Sequence, residues 1–187
     1  MTATRRHVTL GLLAVFLSIR VGAAEPTTDA APPPNPAIDM RGFLEVAQEA
    51  ASYRETRRVS EDEFLRLSAL PGTLILDARS ERKFDELHVR GAMNLSFPDI
   101  AVASLERAIP DKNTRILIYC NNNFRNAEGP FPSKLPSASL NLSTFIALYD
   151  YGYRNVYELG PLIDIHRTKL PLESSAPRTA LPTPGAT

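Results

Sequence analysis

Two short apolar runs constrain this chain more than anything else in it. Thr73-Leu74-Ile75-Leu76 and Arg115-Ile116-Leu117-Ile118-Tyr119 read as buried strands, enclosed on both faces. The first has β-branched residues on either side of Leu74 and ends at Asp77; the second ends at Cys120. Asn155-Val156-Tyr157-Glu158-Leu159 reads as a third strand.

Helical signals separate these runs. Asp39 can cap a first helix, with Phe43, Val46, Ala47 and Ala50 along one face. Ser60 and Glu63 form a capping box, flanked by Val59 and Phe64 as a hydrophobic staple, which predicts a helix through Leu67. One helical turn is expected at Phe84–Leu87, ended by Gly91-Ala92. A further helix carries Ile100, Ala103 and Leu105 and stops at Pro110. Leu142, Phe145, Ile146 and Tyr149 recur at helical spacing, and Gly152 follows as a stop. Strands alternating with helices predict an α/β fold with a mainly parallel central sheet and helices on both faces. Ligands of such sheets gather beyond the carboxyl ends of the strands, where Asp77 and Cys120 stand.

The 187 residues suit one domain with tails, since domains run to roughly 100–200 residues. Arg5-Arg6-His7, the apolar Val8–Ile19 and the small residues Val21-Gly22-Ala23-Ala24 have the order of an export signal, expected over residues 1–24. The apolar stretch is shorter than the roughly 20 residues that span a bilayer. Arg20 interrupts it, so a retained anchor stays an alternative to cleavage, and Arg5-Arg6 leaves twin-arginine export beside the general route. The expected location is exported, periplasmic or secreted, with no membrane span after cleavage. Residues 25–38 form a proline-rich linker, 39–57 an N-terminal helical extension and 58–170 the folded domain. A proline-rich tail, expected to be disordered, occupies 171–187.

Balanced charge, 21 basic against 21 acidic side chains, argues against nucleic acid as a partner. Three scattered histidines and one cysteine make no metal site, and no cofactor is expected. Exported chains use cysteines in pairs, so the lone Cys120 is buried and inert, paired with another chain, or reactive. The loop after it, Cys120-Asn121-Asn122-Asn123-Phe124-Arg125, can curl so that successive backbone N–H groups form a nest for an anion. Those donors and Arg125 would favour a thiolate or a persulfide. Three successive asparagines suit left-handed backbone conformations in a tight cradle.

Four stretches resemble the rhodanese superfamily. Leu76-Asp77-Ala78-Arg79 comes first, then His88-Val89-Arg90-Gly91-Ala92-Met93-Asn94. Ile118-Tyr119-Cys120 with Arg125 is third, and Gly152-Tyr153-Arg154-Asn155-Val156-Tyr157 is last. They fall in the family's order over roughly Val59 to Ile165 and imply a single rhodanese-like domain. The resemblance implies that Cys120 accepts sulfane sulfur from a small anionic donor such as thiosulfate. The persulfide would then pass its sulfur to a thiol or cyanide-like acceptor. It further implies that Asn121, Asn122, Asn123, Phe124 and Arg125 bind the donor, and that Asp77 and Arg79 brace the loop. Related cysteine phosphatases have a loop one residue longer, and the place of their arginine is Asn126 here, which argues against phosphatase chemistry. His88 falls in a structural turn of the family.

Three departures stand out, one of them Gly160-Pro161-Leu162 where the family often has an aromatic closure after the last strand. Asn121 and Asn123 replace the basic residue and the glycine that sulfurtransferases of the family carry. Asn126–Pro136, with Pro130, Pro132 and Pro136, delays the last helix and leaves open whether its dipole points at Cys120. The insert either adds positive charge through Lys134 or covers the site. Two other readings therefore stand beside a sulfurtransferase: a non-catalytic module that binds a partner protein, and a thiol redox sensor.

Overall fold

The computed structural model describes residues 34–175. Residues 34–38 make a turn in which Ile38 N–H donates to the Asn35 carbonyl (3.1 Å). From Asp39 the chain runs through α1 (Met40–Arg54), β1 (Arg58–Val59), α2 (Glu61–Ser68), β2 (Thr73–Asp77), α3 (Glu81–Glu86), β3 (His88–Val89) and β4 (Met93–Asn94). It continues through α4 (Val102–Ala108), β5 (Arg115–Tyr119), β6 (Phe124–Arg125), α5 (Leu140–Asp150), β7 (Val156–Leu159), β8 (Ile163–Asp164) and β9 (Leu172–Glu173). The expected export signal and most of the linker lie outside the described residues.

Five strands form the central sheet in the order β1-β7-β5-β2-β4, and every neighbouring pair is parallel. The α/β architecture read from the sequence is the one observed. β5 lies in the middle, in register with β2 from Thr73↔Arg115 to Asp77↔Tyr119. Its side chains alternate between two cores. Ile116 and Ile118 pack with Leu105, Phe145 and Leu148 under α4 and α5, while Leu117 and Tyr119 pack with Phe64 and Leu67 of α2. Because both sheet faces are covered, the strand is apolar throughout, and each buried aliphatic side chain contributes about 1.5–3 kcal/mol.

Local signals explain the helix starts. The Asp39 carboxylate accepts from Gly42 N–H (2.9 Å) and the Ser60 hydroxyl from Glu63 N–H (3.2 Å). On α1 the buried contact is Ala50, flanked by half-buried Val46 and Ala47; Phe43, expected on that face, is 55 % exposed. Residues 171–175, expected to belong to a disordered tail, are instead ordered, and the rest of that tail lies outside the described residues. Leu172–Glu173 pairs antiparallel with β3, the Pro171 carbonyl accepts from Arg90 N–H (2.7 Å), and Ser175 N–H donates to Asp85 (3.0 Å). An unpaired edge at His88–Val89 is what this segment satisfies.

Candidate active site

Cys120 follows directly on β5, at the carboxyl end of the central strand, and is 1 % exposed. Beside it, at the end of β2, stand Asp77 and Arg79. The Arg79 guanidinium grips both carboxylate oxygens of Asp77 (Nε–Oδ1 3.0 Å, Nη2–Oδ2 2.6 Å), and both side chains are almost fully buried. Such a pair holds shape as long as both partners remain, because either charge alone would be stranded in low dielectric. Tyr119 donates its hydroxyl to the same carboxylate and accepts Val89 N–H (3.0 Å). Burial first, then the Asp77 charge and hydrogen bond, hold the Tyr119 phenol well above its ordinary value.

Arg79 braces something other than the cysteine loop. Its Nη1 donates to the Pro130 carbonyl (2.8 Å), and its guanidinium lies 4.1 Å from the Phe131 ring centroid. Both belong to the insert after Arg125. Lys83 adds a bond to the Gly129 carbonyl (2.6 Å), and Asn122 exchanges two hydrogen bonds with the Lys134 backbone (2.9 and 3.1 Å). The insert is thus strapped down at three points, and its far end delivers α5. Ser139, the residue before that helix, places its Oγ 3.3 Å from Cys120 Sγ. The start of α5 therefore does reach the thiol despite the insert. Ser139 makes no side-chain cap to its own helix, which leaves its hydroxyl for the sulfur.

The loop itself departs from the expected cradle. Asn121–Asn123 form a single 3₁₀ turn in which Asn123 N–H donates to the Cys120 carbonyl (3.2 Å) and Phe124 N–H to the Asn121 carbonyl. Cys120 N–H is taken by Asn123 Oδ1 (2.9 Å), which also accepts from Asn141 Nδ2 (3.0 Å). Asn123 Nδ2 reaches the Leu159 and Pro161 carbonyls (2.6 and 3.2 Å), so this one side chain ties the loop to α5 and to the end of β7. Among the described residues, the backbone amides of Asn121 and Asn122 have no partner in or around the turn. The left-handed backbone expected within the three asparagines occurs instead at Asn126 (φ 62°). Phe124 turns into the core, and Arg125 turns outward because the two form β6 and pair with Ile163–Asp164. Arg125 is 60 % exposed and stands 3.9 Å from Asp164.

On the loop and on α5, Asn121 Oδ1, Asn141 Oδ1 and Thr144 Oγ1 are buried without a hydrogen-bond partner among the described residues. The space between loop and α5 is therefore polar enough to accept hydrogen-bond donors. Outside Ser139 opens a cleft of about 420 Å³ lined by Arg54, Asn122, Arg125, Lys134 and Ser139 itself. His88 is taken up elsewhere: its ring stacks on Phe84 (3.7 Å between centroids), with Nδ1 2.7 Å from the Phe84 carbonyl and Nε2 3.5 Å from Glu173.

Among the expected site residues, Cys120, Asn121 and Asn123 share one buried cluster, with Asp77 and Arg79 at the neighbouring strand end; Arg125 stands apart at the surface. Ser139, Asn141 and Tyr119 join the site without having been expected there. Ser139 had a faint signal, a serine just ahead of the periodic Leu142-Phe145 pattern, but that signal speaks for a helix cap rather than a thiol contact.

The rhodanese-like domain model matches residues 60–159, more than half of the 187-residue chain, and the protein belongs to the rhodanese-like family. Domains of this family deal in general with sulfur donors and acceptors, and many are non-catalytic. No curated protein matches the chain. Among solved structures it is similar to a rhodanese-like domain from Anabaena, at 18 % identity over 70 % of this chain and 89 % of that one, with a TM-score of 0.46. It is similar also to an E. coli rhodanese with anions, at 21 % identity over 55 % and 98 %, with a TM-score of 0.38. A thiosulfate sulfurtransferase from Pseudomonas aeruginosa is 22 % identical over 69 % of this chain and 19 % of its own, with a TM-score of 0.38. Among the described residues no helix is long and apolar enough to cross a membrane.

Proposed function

We propose that the protein is a sulfurtransferase in which Cys120 carries sulfane sulfur as a persulfide between an anionic donor and a thiophilic acceptor. One observation carries this reading: Cys120 Sγ, at the end of the central strand, touches Ser139 Oγ, which also lines a cleft bearing Arg125 and Lys134. A thiol in hydrogen-bond contact with a hydroxyl that itself faces a cationic cleft is placed for charge to develop on sulfur. The backbone N–H groups of Asn121 and Asn122 give a terminal sulfur further hydrogen-bond donors. Asn121 to Arg125 act as a reduced cradle, with Asp77 and Arg79 supporting it through the insert. We further propose that the protein works after export, in the periplasm or outside the cell, on the strength of the charged, apolar and small-residue order of residues 5–24.

A second reading has its own observation. Cys120 is 1 % exposed, and the Asn123 and Phe124 amides are bonded within the turn. A partner-binding module without catalysis would show the same.

Intact mass after treatment with thiosulfate or polysulfide, beside Cys120→Ser, separates the two. A gain of one sulfur on the native protein alone, removed by cyanide, supports the carrier. An unmodified mass with every donor supports the binding module.

A further inference from the structure

Cys120 is 1 % exposed and lines neither of the two clefts that flank its loop. One is the cleft of about 420 Å³ outside Ser139. The other, of about 400 Å³, lies beyond the end of β2, where Ala78, Ser96 and Asn121 form part of its wall. The segment between Phe131 and α5 is the partition between them. Pro132 and Leu140 face the second cleft, Ser133, Pro136 and Ser139 face the first, and Lys134 lines both. The thiol lies at the base of this partition, 3.3 Å from Ser139 Oγ.

The two ends of the segment are rooted and its middle is not. Phe131 is buried, with its ring centroid 4.5 Å from that of Phe124 and 4.1 Å from the Arg79 guanidinium. At the other end Asn141, in the first turn of α5, donates to Asn123 Oδ1 (3.0 Å). Between these roots every residue from Pro132 to Ala138 is exposed, Leu135 by 74 %. A 3₁₀ turn gives the stretch bonds of its own, from Ala138 N–H to the Leu135 carbonyl (2.9 Å) and from Ser139 N–H to the Pro136 carbonyl (3.3 Å). Among the described residues, 132–138 make only two hydrogen bonds to the rest of the fold, and both go to the Asn122 side chain. Its Nδ2 donates to the Lys134 carbonyl (2.9 Å) and its Oδ1 accepts from Lys134 N–H (3.1 Å). A carboxamide carries donor and acceptor side by side, so one side chain engages both groups of one residue, as a neighbouring strand would. Exposed hydrogen bonds and few buried contacts mark a segment that opens locally, at a lower free energy than the whole domain.

We propose that Pro132–Ala138 is a flap over Cys120 and that the Asn122 side chain is its latch. With the latch closed, the two clefts stay separate and the thiol is shut off from both. When the two bonds to Lys134 break, the segment lifts on its rooted ends, the clefts join across the cysteine loop, and the sulfur is open to reagents from solution. The Asn122 side chain is thus a positioning group that acts on Cys120 through the flap. That flap opening precedes sulfur transfer rests on Cys120 being the persulfide carrier; that it controls access to the thiol does not.

Labelling of Cys120, the one cysteine of the chain, by N-ethylmaleimide tests the flap on the full chain, with intact mass as the readout. In Asn122→Ala, which keeps the backbone N–H, the rate should rise about tenfold, in keeping with the loss of two exposed hydrogen bonds. In both proteins the rate should stay level as urea is raised below the unfolding transition, because lifting a flap exposes little new surface. An unchanged rate in Asn122→Ala overturns the latch. A rate that climbs with urea along the slope of global unfolding overturns the flap, since the thiol is then reached only by unfolding. Persulfide loading by polysulfide, measured on the same two proteins, separates the flap from the carrier. Loading quickened by the same factor as labelling supports the flap as the gate to transfer. Loading unaltered while labelling quickens overturns that gate. No loading in either protein overturns the carrier, and the maleimide rates then decide the flap by themselves.

Discussion

The hydroxyl of Ser139 stands 3.3 Å from the sulfur of Cys120, although β6 and a proline-rich insert separate the two in the chain. The insert that postpones α5 in the sequence is folded back so that the helix still begins at the thiol. Asp77, Arg79 and Tyr119 hold the strand ends on one side, and Asn123 holds the loop on the other. Cys120 lies between them, closed off from solvent.

Replacing Ser139 with alanine removes the only side-chain partner of the thiol among the described residues and trims the wall between sulfur and cleft. We expect a stability loss of about 1 kcal/mol, the value of an ordinary hydrogen bond. Labelling of Cys120 by a small maleimide should become faster, read by mass under native conditions. Unchanged labelling would mean that Ser139 does not control access.

Asn123→Ala should be costly out of proportion to its size. The side chain accepts from Cys120 N–H and Asn141, and donates to Leu159 and Pro161. Its loss strands several buried groups, for a cost on the order of 3 kcal/mol in urea unfolding. Asn123→Asp keeps the acceptors but not the donors and should not restore stability.

Arg79→Leu leaves the Asp77 carboxylate buried without its partner, which costs about 3–5 kcal/mol. Because Arg79 also holds Pro130 and lies over Phe131, protease cleavage within residues 126–136 should accelerate in the same variant. Arg79→Lys should not rescue either effect, since an ammonium cannot reproduce the forked contacts.

Tyr119 gives a pH signature at the alkaline end. Its phenol is raised above the ordinary value of 10.0 by burial and by Asp77. Above that pH the unfolded chain releases a proton that the native protein retains, so stability falls as pH rises. Tyr119→Phe removes this component, and the difference in unfolding free energy between native protein and variant should shrink from pH 9 upward, about one unit below the ordinary value. At neutral pH the variant should be about 1–3 kcal/mol less stable, because Val89 N–H and the Asp77 carboxylate each lose a partner.

Short-range pattern alone determined much of this protein. The runs at 73–77, 115–119 and 156–159 announce strands because apolar residues enclosed on both faces need no alternation. Asp39 and Ser60 announce helix starts because a capping oxygen acts on an amide two or three residues away. Placing Asp77 and Cys120 together follows once those strands are parallel neighbours. Tertiary structure decided where the other groups point. β6, β8 and β9 are two residues long, too short for any periodicity, and their pairing depends on partners distant in sequence. That pairing turns Arg125 outward and keeps Leu172 in the fold. The folding-back of the insert carries Ser139 to the thiol, and no local rule encodes where a strap held by Arg79, Lys83 and Asn122 will set down its end.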